Sequence, residues 1–279
     1  MLHALVEIPQ TEWPELRDLY EGQKKFTCAY NTIQCLIEWK TQNEELDIKI
    51  HSLDGDWRRD GTYVAIHKKP YNQVFINTLS ENQERLLTAL KMLNNKGNLN
   101  IFAYPERLIP TVEKFVLAEG LKKENFLADG TAWYHIDMEK AKQLPVHVPE
   151  GFTLRRLETK HAEQVNSVWP HWAPGTVIFV ERMIAYNDSV GVFDSAGNLV
   201  AWSLRLPIGA LGLVQVVDTH KRLGLGSLVV SEISKLIASK GLEVTAPVIF
   251  ENAASRSMFE KLGFKPIDNV YWTPVPERT

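Results

Sequence analysis

Between an apolar, β-branched run at 211–217 and an amphipathic run at 225–240, the chain reads Lys221-Arg222-Leu223-Gly224-Leu225-Gly226. A strand that turns through closely spaced glycines into a helix leaves several backbone N–H groups with no intrahelical acceptor. The helix dipole adds positive potential at that end. Gly224 and Gly226 have no Cβ to hold a phosphate group away, and Lys221 and Arg222 supply charge beside them. Two readings follow: a turn that uses glycine for backbone freedom, or an anion site. A dinucleotide fingerprint is excluded, because its third glycine falls at Val229. No G-x-x-x-x-G-K-[ST] sequence occurs, so a nucleoside triphosphate loop is excluded too.

Periodicity places this turn in a mixed α/β half. Apolar residues at 225, 228, 229, 233, 236 and 237 share one helical face. Gly241 suits the helix end, and 243–250 reads as a second strand. Asn252 caps a helix at 253–262, which Gly263 closes, and a last strand follows at 270–273. Upstream, 159–169 and 176–186 read as helices. Strands at 189–193 and 199–206 flank the hairpin turn Asp194-Ser195-Ala196-Gly197-Asn198.

Two prolines and a glycine interrupt the periodic sequence from Pro145 to Gly151. We therefore expect an N-terminal α/β domain over 1–144, a linker at 145–151 and a second domain over 152–279. In the first, strands at 62–67 and 72–77 form a hairpin around Lys68-Lys69-Pro70-Tyr71, flanked by helices at 27–40 and 81–94. Tyr63, Tyr71, Phe75 and Phe102 are expected in its core. The segment from Val116 to Lys122, with Trp133-Tyr134 downstream, echoes Phe259 to Lys265 with Tyr271-Trp272 downstream. The echo fits either a duplicated domain whose first copy lost the glycine turn or chance likeness of a helix-Gly-strand pattern, since Asn94 to Asn98 holds only Gly97.

Composition narrows the partners. The 279 residues are 44% hydrophobic and 23% charged with a net charge of -3 and no block of like charges, which argues against nucleic acid or an acidic membrane surface. Cys28 and Cys35 are too few for a disulfide framework and read as reduced thiols. The first residues lack a basic leader and an apolar core, and no stretch is long enough to span a bilayer. A cytoplasmic location is expected, with the mitochondrial matrix as the alternative. His51, Asp54, Asp56 and His67 make no recognisable ligand spacing, and no metal is expected.

The pattern Val216-x4-Lys221-x2-Gly224-x-Gly226, followed by Asn252 and by Phe259-Glu260-Lys261-Leu262-Gly263-Phe264, resembles the GCN5-related N-acetyltransferase superfamily over about the last 130 residues. The resemblance implies an acyltransferase fold there, behind an N-terminal α/β domain open to reading as a degenerate GNAT-like copy, with acyl-CoA as co-substrate. Backbone amides of Arg222, Leu223, Gly224, Leu225, Gly226 and Ser227 would hold the CoA pyrophosphate beside Lys221. The Val216 main chain would meet the pantetheine or acyl carbonyl, Asn252 the pantetheine arm, and Phe259 would lie against the cofactor. Strands 211–217 and 244–250 would then splay, opening a cleft at Val216.

Three positions depart from the family pattern. Lys221 replaces the usual Arg or Gln, Ala210 stands where a catalytic glutamate is common, and Phe259 replaces a tyrosine that protonates the leaving thiolate. Asp218 and His220 are the nearest candidate bases, and Ser257 a candidate donor to the thiolate; each also reads as a solvent-facing residue. A narrower resemblance, to glycine N-acyltransferases, rests on His161-Ala162-x2-Val165-Asn166-x2-Trp169, on Phe179-Val180-Glu181-Arg182 and on Trp272. It implies a small-molecule amine, such as glycine or another amino acid, as acceptor. Trp169 and Trp272 also fit as core aromatics. The rival readings are a catalytically silent acyl-CoA-binding protein and a protein N-acetyltransferase.

Overall fold

Strand residues of the N-terminal half alternate between two apolar faces, and that alternation places helices on both sides of its sheet. The computed structural model describes residues 3–68, 72–93, 99–126, 128–169 and 173–275. The chain forms two compact units: Met1–Ala132 with Asp268–Thr279, and Trp133–Ile267. Residues 145–151, read above as a linker, lie inside the second unit.

The first unit contains β1 (Leu5–Glu7), α1 (Trp13–Asp18), α2 (Thr27–Gln42), β2 (Ile48–Leu53), β3 (Tyr63–His67), β4 (Asn72–Asn77), α3 (Glu84–Lys91), β5 (Leu99–Pro105) and α4 (Ile109–Ala118). On β3, Tyr63 packs edge-on against Tyr20 and His67 against Trp39 of α2. Val64 faces the other way, into a core with Val74, Ile101, Leu86 and Leu90 of α3 and Val112 and Phe115 of α4. The expected hairpin is present, with Tyr63 opposite Asn77 and His67 opposite Gln73; Lys69, Pro70 and Tyr71 at its turn lie outside the described residues. Phe102 belongs to β5, where it packs 5.7 Å from Phe75. The helix expected at 81–94 spans only Glu84–Lys91, because Asn82 accepts the Glu84 N–H and sets its start; Asn94 to Asn98 are outside the described residues.

The second unit follows β6 (Asp129–Ile136) with α5 (Met138–Lys142), β7 (Thr153–Arg155), α6 (Ala162–Ser167), α7 (Thr176–Tyr186), β8 (Ser189–Phe193), β9 (Leu199–Arg205), β10 (Leu211–Val216), α8 (Leu225–Ser239), β11 (Val244–Ile249), α9 (Ala253–Lys261) and β12 (Lys265–Val275). Its sheet runs β10-β9-β8-β7, all antiparallel, and β11 lies beside β6. Every residue of β8 and β9 is buried. Helix α8 sinks Leu225, Leu228, Val229, Ile233 and Ile237 into this core, each contributing about 1.5–3 kcal/mol. That burial fixes the start of α8 against the end of β10. The last strand is longer than expected. From Asp268 on it counts with the first unit, where Val270 pairs with Pro105 and Val275 with Leu99.

Candidate functional site

Two backbone irregularities open one edge of the second unit. The first lies within β10, where Gly212 pairs with Leu204 and Gln215 with Trp202, so Leu213 and Val214 together oppose Ser203. This is a β-bulge, a device that re-aims backbone groups away from the ladder. Leu213 adopts φ 48°, a left-handed conformation that costs a non-glycine residue roughly 1–2 kcal/mol. A Cβ at neighbouring Gly212 would come within 2.7 Å of Leu206 Cδ1, so that side chain would have to shift. The second irregularity is the separation of β10 from β11. They end different sheets, with no ladder between them among the described residues, as expected of a splayed pair.

The turn after β10 is short. Residues Asp218–His220 form one 3-10 turn, Arg222 takes φ 65°, and Gly224 takes φ 78° as the residue before α8. Among the described residues no protein acceptor receives the N–H groups of Arg222, Leu223, Gly224, Leu225, Gly226 or Ser227, and the first helical bond is Leu228 N–H to Gly224 O at 3.0 Å. Space in front of Gly224 is open, with nothing within 4 Å of a Cβ placed there. Gly226 is wedged instead: its Cβ would lie 3.2 Å from Met258 Sδ and 3.6 Å from Val216 Cγ2. That packing brings β10, α8 and α9 together at one point. A run of free amides at a helix start has the donor arrangement that suits an anion.

The charged residues divide around it. Lys221 Nζ lies 2.6 Å from Asp218 Oδ1. That hydrogen bond, with the lysine charge, holds the Asp218 carboxyl below its usual range. The pair is solvent-exposed, so Asp218 is a weakly basic, surface carboxylate. The Arg222 side chain has no partner among the described residues. His220 is half-buried, its Nδ1 2.9 Å from Thr219 Oγ1 and its ring edge-on to Phe152 at 5.9 Å. Ala210 is buried and Ser257 exposed on α9.

Asn252 caps α9, its Oδ1 accepting the Ser255 N–H at 3.0 Å, which leaves the side-chain NH2 toward solvent. Phe259 is buried between Tyr134 at 6.1 Å and Phe264 at 5.1 Å. The Tyr134 hydroxyl donates to Glu260 Oε1 at 2.9 Å. Of the looser motif, Asn166 Oδ1 accepts from Thr176 Oγ1 at 2.8 Å and Trp169 stacks on Phe179 at 5.8 Å, while Trp272 falls in the first unit. The bulge at Leu213 was not foreseen; its one sequence signal is Gly212 beside a β-branched run.

The turn after β4 in the first unit differs from the one after β10. There β4 and β5 pair in parallel at Asn72–Leu99, Asn72's neighbour Gln73 with Asn100, and Val74 with Ile101; no pairing between these strands is recorded beyond Val74. The turn after β4 contains no glycine, and three of its amides have acceptors. Thr78 N–H bonds Asn77 Oδ1 at 2.9 Å, Leu79 N–H bonds Asp60 O at 2.8 Å, and Ser80 N–H bonds Thr78 Oγ1 at 3.2 Å. Arg107 closes the arrangement, donating to Asn77 Oδ1 at 2.7 Å and to Thr78 O, while its own carbonyl accepts from Gln83 at 3.0 Å.

Residues 189–273 match the model of the FR47-like protein family, and residues 4–94 match a domain of unknown function, DUF5645. No curated protein matches the chain in sequence. Among solved structures, a Drosophila protein is similar at 21% identity over 99% of both chains, with a TM-score of 0.88. A tandem GNAT protein from the clavulanic acid biosynthesis pathway is similar at 13% identity, over 99% of this chain and 98% of that one, with a TM-score of 0.57. The fold is that of the GCN5-related N-acetyltransferases. A putative acetyltransferase from Pyrococcus horikoshii has it too, at 9% identity, 99% and 89% coverage and a TM-score of 0.57. The likeness to a tandem GNAT protein extends over the N-terminal unit as well, consistent with a second GNAT-like domain there. Among the described residues no helix is long and apolar enough to cross a membrane.

Proposed function

We propose that the C-terminal unit binds an acyl-CoA thioester and transfers its acyl group to the primary amine of a small molecule such as glycine or another amino acid. The observation that carries this reading is the run of unbonded amides at residues 222–227, set at the foot of a strand whose outer edge has no ladder. The pyrophosphate lies on those amides with Lys221 and Arg222 beside it, and the Asn252 NH2 meets the pantetheine arm. The thioester carbonyl runs along the open edge of β10, where a backbone N–H near Val216 stabilises the oxyanion as the amine attacks. A C–N bond forms, the C–S bond breaks, the thiolate leaves, and the amine proton passes to water. Water is the acceptor because Ala210 holds no titratable group and Asp218 is tied to Lys221. Positioning therefore supplies most of the acceleration. The glycine-type acceptor rests on the resemblance around His161, Phe179 and Trp272 alone.

A silent acyl-CoA-binding protein is the second reading, favoured by the buried, non-titratable Ala210 and Phe259. Calorimetric titration with acetyl-CoA, benzoyl-CoA and free CoA, followed by thiol release over an amine panel, separates the two. Binding with amine-dependent release supports the transferase, and binding without release supports the silent protein. Absence of binding refutes both.

A further inference from the structure

A polar cluster lies within the second unit, away from the amide turn. His135, near the end of β6, is 4% exposed and places Nε2 2.6 Å from Glu243 Oε2, just before β11. Asp137 stands two residues on, at the start of α5, and one ligand atom from each of the three lies within 4.8 Å of the others. We infer that His135 Nε2 and the carboxylates of Asp137 and Glu243 hold a divalent cation of the zinc class.

The donor set is the first argument. One imidazole nitrogen and two carboxylate oxygens suit zinc, whose bonds of about 2.0–2.2 Å place tetrahedral ligands roughly 3.3–3.6 Å apart. The three ligand atoms already lie within 4.8 Å of one another.

The neighbouring side chains give a second, independent argument. Trp133 and Thr245 are buried, and neither Trp133 Nε1 nor Thr245 Oγ1 has a hydrogen-bond partner among the described residues. Strand alternation puts Trp133 on the face of His135 and Thr245 on the face of Glu243, on adjoining strands. Leaving such groups unpaired costs about 1–3 kcal/mol each. A three-ligand cation keeps a position for water, which supplies the strip with both a donor and an acceptor. Six residues of β11 separate Glu243 from the Asn252 end, roughly 20 Å at about 3.3 Å per residue. The ion therefore clips β6 to the start of β11 and takes no part in acyl transfer.

The test uses the full chain, freed of metal by a chelator and titrated with Zn2+ by calorimetry and with Co2+ by electronic absorption, beside Glu243→Gln and Asp137→Asn. The expected result is one saturable Zn2+ per chain, a tetrahedral Co2+ spectrum, and an affinity at least roughly tenfold weaker in each variant. Saturating Zn2+ also raises the unfolding temperature of the wild type but not of the variants. No saturable binding, or binding unchanged in either variant, overturns the proposal and leaves an ordinary His–Glu hydrogen bond. CoA binding is the same in all three proteins, which keeps this test separate from that of the acyltransferase site.

Discussion

Gly224→Asp compared with Gly224→Asn separates charge from shape at the amide turn. Gly224 has φ 78° and open space before its Cα, and Asn and Asp both tolerate the left-handed region better than other residues. The two variants therefore carry nearly the same backbone strain, and their difference reports the carboxylate. A unit charge about 6 Å from one phosphate charge is worth about 0.7 kcal/mol in bulk water and about 2.8 kcal/mol at an effective dielectric of about 20. A pyrophosphate presents two such charges. The turn is exposed and screened by salt, so the lower part of that range applies, about 1.5–3 kcal/mol. Gly224→Asp should bind free CoA roughly ten- to a hundredfold more weakly than Gly224→Asn, and the gap should narrow at high salt. Calorimetric titration at two ionic strengths measures both. Equal affinities for the two variants refute the placement of phosphate at this helix start.

Four further outcomes are expected. Asn252→Asp keeps the acceptor for the Ser255 N–H but removes the NH2, so thermal stability should hold while CoA affinity falls; unchanged affinity would reduce Asn252 to a helix cap. Titration should give one CoA per chain, because the turn after β4 holds no glycine, its Thr78 N–H is bonded to Asn77 Oδ1 and Arg107 fills the space beside it; two sites would contradict that. Gly191→Ala should cost about 1–3 kcal/mol in denaturant unfolding, since its Cβ would meet Leu157 Cδ2 at 2.6 Å and Leu199 Cδ1 at 2.9 Å. Burial pushes the His51 and His161 pKa values below 6.5 in the folded chain. Their neutral forms thus favour folding, with the full contribution present above about pH 6.5 and lost as the pH falls toward the folded values. Unfolding midpoints at neutral pH and near pH 5 should show that loss, and a double His51→Gln, His161→Gln variant should flatten it.

Local signals carried much of the C-terminal unit. Helix α7 and strand β8 fall on their expected ranges, and α8 ends one residue early, because a single apolar stripe, two glycines and alternating β-branched residues all agree there. The amide turn was legible for the same reason: Gly224 takes a left-handed backbone and Gly226 packs closely against Met258, and both glycines stand out in the sequence between a strand and a helix pattern. Strands β2, β5 and β6 were missed, since both faces of each are partly covered and their polar residues mask the alternation. The partition of β6 and β12 between the two units was invisible as well. It depends on contacts between residues more than a hundred positions apart, as at Tyr134 and Glu260. His135 and Glu243 meet in the same way, so no spacing rule could join them, and the bulge at Leu213 follows from pairing against Ser203.

The most direct test of the central claim is the backbone amide spectrum of the 15N-labelled protein during titration with free CoA. The account predicts saturable shifts at Arg222, Leu223, Gly224, Leu225, Gly226 and Ser227, with the turn from Thr78 to Gln83 unmoved. Saturable binding that shifts other amides and leaves residues 222–227 in place would contradict it.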